Sequence, residues 1–561
     1  VYPGCTNITT FDINSAGGVL NVSGAGDRIA NLEANPSPVL RNGGRLIKRG
    51  AGTWFNGVGF GSAADQAGDD VTAREYTMTF DVEEGAIEHR LGATSANSFL
   101  GEGTMIMTVR NNAVLKGGGF LYGNNGGGNG GGNPEDVAIR KVLHIDAGGA
   151  IVDLNGITVN MGWSLFDGLT RTSDWLEGPG TLTITNSSAT GASFRFYNLL
   201  NHAFTGRFDA SGLMAADATY GGGLPNGELV VPEHRVYSFT SCYPSHYPLH
   251  FGRVTGSGAF GGRGISNSDS DNVALIGCDD NGVFEFEGYL WGTWGSSNRG
   301  AFRFVKAGNN TWRISGTTNA MTTSVTLRKG TILVGADSPG NGTVGALGTE
   351  RVILSDAGTA PGDALSLLTD GPYTVGNGII LMDYAPGALM TLGGNQTTGA
   401  SAFTGDLALT RDVCLHAANT DDSGVTFSGA ITGPGGIIKT GPGKVILTGS
   451  VQNTAPHTVL DGTLMIMGDT TLTNALVVAA GASGSGTLAV TGNLTIGEGV
   501  TLTLQPDSLV RGQTYTLATW TGTLSGSFAS VTGLPDGWHV GRFPDHLELY
   551  YAPPGTQIRI R

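Results

Sequence analysis

Short alternating runs of apolar and polar residues, each broken by glycine, fill most of this chain. "KVILTG" at 444–449 is typical: as a strand it puts Val445 and Leu447 on one face, Ile446 and Thr448 on the other. The Gly-Pro-Gly before it, at 441–443, makes a corner that a continuous strand could not. Amphipathic stretches of helical period are hard to find. The pattern therefore predicts an all-β chain of many short strands joined by tight turns.

These strands come in a recurring phrase. "LIKRGAGTWFNG" begins at Leu46, "FVKAGNNTWRISG" at Phe304 and "IIKTGPGKVILTG" at Ile437. Each has two apolar residues, a lysine, a variable residue, a glycine, and then an aromatic or apolar strand. A second element follows, "VTLRKGTILVG" at 325–335 and "TVLDGTLMIMG" at 458–468. Lys306 to Gly330 is 24 residues and Lys439 to Gly462 is 23. In the first copy the partner is the weaker "FDVEEGAIEHR" around Gly85, after about 13 extra residues. Repeats of roughly 20–45 residues with strand–turn–strand content signal a solenoid, whose units bury their apolar faces only by stacking on neighbours.

The phrase "IIKTGPGKVILTGS…TVLDGTLMIMG" resembles the autotransporter-associated β-strand repeat of large bacterial surface proteins. The match is close over 437–468, good over 304–335 and marginal over 46–90. The resemblance implies a right-handed parallel β-helix and an exported, passenger-like protein.

Along the chain, residues 1–40 read as an N-terminal β cap and 41–190 as β-solenoid, interrupted by the glycine-rich tract 117–136. Residues 191–300 read as irregular, loop-bearing rungs, and 301–505 carry the clearest repeats. From 506 the period changes and aromatics return, as in a C-terminal β module that covers the last rung.

Composition narrows the function. Glycine supplies 94 of 561 residues, against an average usage of roughly 7%, yet without a strict triplet period, which excludes collagen. With 46 acids against 31 bases the formal charge is −15. Such a surface repels phosphate backbones and anionic membranes, so no nucleic acid partner is expected. No apolar run approaches the roughly 20 residues of a membrane-spanning helix. The style favours an extracellular or cell-surface location, after removal of a leader not present in this chain.

Several constellations are candidates for chemistry. Cys242 and Cys278 are the closest of four cysteines. A bridge there would close a loop of about 36 residues, worth about 3–4 kcal/mol; the alternative is buried thiols. Cys242, His246 and His250 have metal-like spacing, but Pro244 and Pro248 oppose the helix that would align them. Asp279 and Asp280 in "GCDDNG" suit paired acids of a polysaccharide-cleaving β-helix enzyme, with a groove in 240–300; the same residues also read as a plain turn. With Asp269 and Asp271 they offer hard oxygen ligands for calcium, the one cofactor the sequence suggests. In "GVFEFEGYLWGTWG" (282–295), one continuous strand would point Phe284, Phe286 and Leu290 inward. Glu285, Glu287, Tyr289 and Trp291 would then share an outer face suited to sugars, unless a loop covers the rings. Finally, Ile558 and Ile560 alternate with Arg559 and Arg561 after two prolines. A strand of that pattern can complete a neighbour's sheet and assemble subunits end to end.

The leading expectation is a structural or adhesive protein of a bacterial surface or extracellular fibre, self-associating or meeting a glycan or host surface, with no catalytic residue. The runner-up is a glycoside hydrolase or polysaccharide lyase acting through Asp279 and Asp280.

Overall fold

A computed structural model gives the structure of the chain. It describes residues 302–553 apart from 482–483. Before them it describes 45–56, 77–89, 104–116, 141–156, 176–189, 194–213, 220–239, 248–263 and 272–293, with a few shorter pieces. The described residues form strands and turns with no helix, and almost all strand pairs are parallel. Two compact units are present: Val1–Cys278 with Phe286–Arg303, and Asp279–Glu285 with Phe304–Arg561.

The turns are easiest to follow in the second unit. Val413–Ala417, Val425–Phe427 and Ile431–Gly433 make one turn, and Ile437–Thr440, Lys444–Leu447 and Val451–Asn453 the next. His457–Val459, Gly462–Ile466 and Thr470–Leu472 make a third. Strands pair in parallel with their counterparts in the adjoining turn: Val413 with Ile437 and Ile437 with His457, Val425 with Val445 and Val445 with Leu464, Ile431 with Val451. Thr470–Leu472 instead begins a separate sheet with Leu494–Ile496. Steps of roughly 20–25 residues are the length of a solenoid repeat. This is a parallel β-helix.

Alternation along each strand decides what is inside. Val425, Val445, Leu464 and Leu488 form one inward column without solvent exposure, and Phe403 stacks on Phe427 at 4.9 Å. Burying each such side chain contributes about 1.5–3 kcal/mol. Val445 and Leu447 face in and Ile446 out, as the pattern of "KVILTG" predicts.

The first unit repeats the scheme. Arg45–Arg49, Thr77–Val82, Thr104–Val109 and Lys141–Ile145 pair in series, as do Thr53–Asn56, Ala86–His89, Ala113–Lys116 and Ala150–Asp153. In the stretch 191–300 the interior is aromatic. Phe194, Phe196, Phe208, Tyr237, Phe251 and Phe260 are fully buried, with neighbouring ring centroids 4.9 to 6.2 Å apart. The aromatics that break the sequence period there lie inside the turns.

Parallel pairing continues past the compositional change at 506, through Tyr515–Trp520 and Ser530–Thr532. His546–Tyr551 then pairs antiparallel with Tyr515–Trp520 and with Trp538–Arg542. This hairpin covers the exposed edge of one sheet, and the Trp520 indole donates to the Pro544 carbonyl at 2.9 Å.

Some inward positions are polar. His457 lies in the column between Ile437 and Leu476, and its buried Nδ1 has no hydrogen-bond partner among the described residues. Burial holds this imidazole below its usual pKa. His416, two strands away in the same sheet, is lowered by burial and then by the Lys439 charge. As pH falls the unfolded chain therefore binds the protons first. The histidines' contribution is complete above about pH 6.5 and is lost as pH falls below it toward the folded values. His457→Leu is expected to add about 1 kcal/mol of stability and to flatten the acid limb of the melting temperature measured by calorimetry. An acid limb as steep as that of the parent would count against this assignment.

Candidate functional site

The repeated phrase has a single structural meaning in all three copies. Its lysine occupies a core position: Lys439 pairs with Leu415 on one side and Val459 on the other, Lys306 with Leu327, and Lys48 with Val82. All three lysines have no exposed surface. An ammonium inside a solenoid needs acceptors, and the corner provides them. Lys439 Nζ donates to the carbonyls of Thr440, Gly441 and Asp461 at 2.8, 2.6 and 2.9 Å. Lys306 Nζ reaches Ala307, Gly308 and Lys329 carbonyls at 2.7, 2.8 and 3.3 Å, and Asn310 Oδ1 at 3.0 Å. Lys48 Nζ reaches those of Arg49, Gly50 and Glu84 at 3.0, 2.7 and 2.9 Å.

In each copy two carbonyl acceptors belong to the lysine's own corner, joined for Lys306 by Asn310 Oδ1, and one to the same corner in the next turn. The residue after that last acceptor is the second glycine of the phrase: Gly85, Gly330 or Gly462. Each has positive φ, at 71°, 80° and 65°, and a Cβ there would lie 2.3 to 2.4 Å from a carbonyl oxygen of the corner beneath. The lysine and the distant glycine are thus two halves of one corner staple. This explains why the weak first copy keeps both despite its longer spacing. The extra residues lie before Thr77–Val82, outside the described set. Burial pushes Lys439 down to about 8, where it remains mostly protonated at neutral pH, and also lowers Lys48. Sequence reasoning noted these lysines only as markers of the repeat. The available signal was a charged residue in phase with inward apolar positions.

The residues singled out for chemistry are dispersed. Asp279 forms an ion pair with Lys329 at 3.0 Å and accepts from the Asn309 N–H at 3.2 Å. The Lys329 contact holds its carboxyl below the usual range, which suits a general base and opposes a general acid. Asp280 Oδ1 accepts from the Gly282 N–H at 2.9 Å, the bond of a local turn. Phe284, Phe286 and Leu290 are buried as expected. The run is nonetheless two strands, Val283–Phe286 and Tyr289–Thr293, which belong to different sheets. A Cβ on Gly288 between them would lie 2.0 Å from the Gly258 carbonyl oxygen, so the chain turns there. Glu285 is engaged by Arg313 and by Ser315 Oγ, and Arg313 also holds Asp370 at 2.5 Å. Tyr289 is exposed and Trp291 half-buried, on the other sheet. The four residues therefore do not share one strand face.

His250 is half-buried, its Nε2 2.9 Å from the Gly277 carbonyl oxygen. Cys278 is buried, and Cys414 is buried with its thiol pushed up by desolvation. Cys242, His246, Asp269, Asp271 and the terminal Ile558, Arg559, Ile560 and Arg561 lie outside the described residues. The bridge, the calcium set and the end-to-end contact drawn from them lie there too. Among the described residues no three His, Cys, Asp or Glu side chains are grouped to hold a metal ion.

With this geometry in hand, comparison with known proteins adds one similarity. Over 208 residues the chain is 27% identical to the adhesin BmaC autotransporter of Brucella suis biovar 1 (strain 1330). The similarity is to an adhesin. It covers 36% of this chain and 5% of that much longer protein. No family model matches.

Proposed function

We propose that the chain is an exported, adhesive β-helix of a bacterial surface, whose repetitive outer faces rather than a catalytic centre meet the environment. The observation that carries this reading is the corner staple. Three buried lysines and their paired glycines commit the repeat's distinctive residues to holding successive turns in register. The similarity to an autotransporter adhesin supports the same reading. Asp279, paired with Lys329 and so a poor general acid, and Asp280, engaged in a local turn, support it against the hydrolase alternative.

The test uses the whole chain in two assays. Beads coated with it are expected to adhere to epithelial cells or extracellular matrix above albumin-coated beads. In parallel, purified chain is expected to release no reducing ends from a panel of pectic, chitinous and glucan polysaccharides. Release of reducing ends without adhesion would reverse the conclusion.

A further inference from the structure

The second unit carries a groove to which none of the chemistry above refers. It is a cavity of about 510 Å³, lined among others by Asn341, Glu350, Arg351, Gly378, Asp406 and Ala408. That volume lies in the lower part of the range of about 300–1,000 Å³ usual for small-molecule sites. Its floor is the outer face of one sheet, where Ile380, Ala408 and Thr432 stand in register on successive turns. With strands about 4.8 Å apart, this row is an apolar strip ending in a hydroxyl.

One wall is the excursion that runs from 335 to 351, and it is fixed from beneath by fully buried amides and a hydroxyl. Asn377 Nδ2 donates to the Gly348 and Glu350 carbonyls at 3.1 and 2.6 Å. Ser338 Oγ donates to Asn377 Oδ1 at 2.6 Å and accepts from the Leu347 N–H at 2.9 Å. Asn319 Nδ2 donates to the Ala346 carbonyl at 2.9 Å. Asn341, at the tip, is held at φ 51°. A wall so constrained does not pay its ordering entropy again when something binds.

The rim is polar and uncommitted. The Glu350 and Arg351 side chains are exposed and have no partner among the described residues. Asp406 uses one oxygen to accept from the Ala430 N–H at 2.9 Å and keeps the other. Between them lies Gly378. Its φ is ordinary, and a Cβ there would meet only the Asp406 carbonyl oxygen, at 3.8 Å. Neither backbone conformation nor packing requires a glycine at this position. What it leaves is space.

We propose that this groove binds a neutral saccharide of about one or two rings. Two carboxylates against one guanidinium, on a chain of net charge −15, disfavour an anionic ligand. The floor strands have their backbone groups paired in the parallel ladder, so an extended peptide finds no edge to join. Carboxylate, amide and guanidinium groups over a short apolar strip match hydroxyls above a C–H face. This deepens the adhesive reading and rests on it for its biological meaning, although the binding itself can be measured separately.

The experiment is saturation-transfer NMR on the whole chain with lactose, N-acetyllactosamine, cellobiose and maltose, and with sialyllactose as the anionic counterpart. At least one neutral disaccharide is expected to bind with a dissociation constant of about 0.1–10 mM. Glu350→Gln is expected to weaken it by about tenfold or more, and Gly378→Leu to abolish it by filling the groove. Silence from all four neutral probes, preference for sialyllactose, or full binding in Glu350→Gln would overturn the proposal. If Gly378→Leu fails to fold, Glu350→Gln decides alone, because that side chain is exposed and unpartnered. Saccharide binding without cell adhesion would remove the adhesive reading and keep the groove; adhesion without saccharide binding would do the reverse.

Discussion

Lys439→Met is expected to lower the stability of the folded chain by about 3 kcal/mol, although it replaces a charge in the core with an apolar side chain of similar reach. Methionine fills the stem's place between Leu415 and Val459 but offers no donors. The carbonyls of Thr440, Gly441 and Asp461 lose theirs, and an unsatisfied buried acceptor costs about 1–3 kcal/mol. The apolar gain of the methionine offsets part of the sum. For a unit of this size the melting temperature should fall by roughly 6–12 °C. Lys444→Met, five residues on, is the control. Lys444 reaches the fully exposed Asp422 at 3.4 Å, and surface pairs are worth about 0–1 kcal/mol. Equal melting temperatures for the two variants would show that the corner does not depend on its lysine.

Gly462→Ala should cost at least as much, by a different route. The new methyl carbon would lie 2.3 Å from the Gly443 oxygen and 2.6 Å from that of Gly441, at φ 65°. Both obstacles are backbone, so the two turns must separate locally. We expect a loss above about 3 kcal/mol, in the range where steric and backbone strain combine. Gly468→Ala isolates the conformational part: its φ is 90°, but nothing lies within 4 Å. That change should cost only about 1–2 kcal/mol. Because Asp461 carries the third acceptor and adjoins Gly462, the Lys439→Met and Gly462→Ala effects should also couple. Urea unfolding of the double variant is expected to show less than the sum of the two. Strict additivity would mean that lysine and glycine act on separate features.

The β-helix was legible because alternation and repetition are properties of sequence. Val445 and Leu447 inside, Ile446 outside, and a shared phrase at 46, 304 and 437 all follow from reading period and recurrence. The staple was only half legible. Lysine and glycine could be seen to recur together, but their contact joins carbonyl groups, which are the same for every residue type and leave no mark in the sequence. The run 282–295 misled for a related reason. Its alternation survives across Gly288, since each strand keeps its inward phase, while the turn itself packs on the Gly258 carbonyl of another turn. The groove was beyond reach of any local reading. Its floor comes from residues on successive turns, its rim from 350 and 406, and its openness from a glycine whose significance is the absence of a clash.

The staple also constrains how such a chain can lengthen. Lys439 finds two acceptors in its own turn and the third in the next, so neither turn carries a complete device alone. A duplication copying a single turn would insert a lysine below a corner that lacks its glycine, or a glycine with no lysine below it. Gene segments that encode adjoining turns together would propagate intact. Lengthening by paired cassettes leaves the reading frame of corners undisturbed, and natural size variants of this chain should differ by such cassettes.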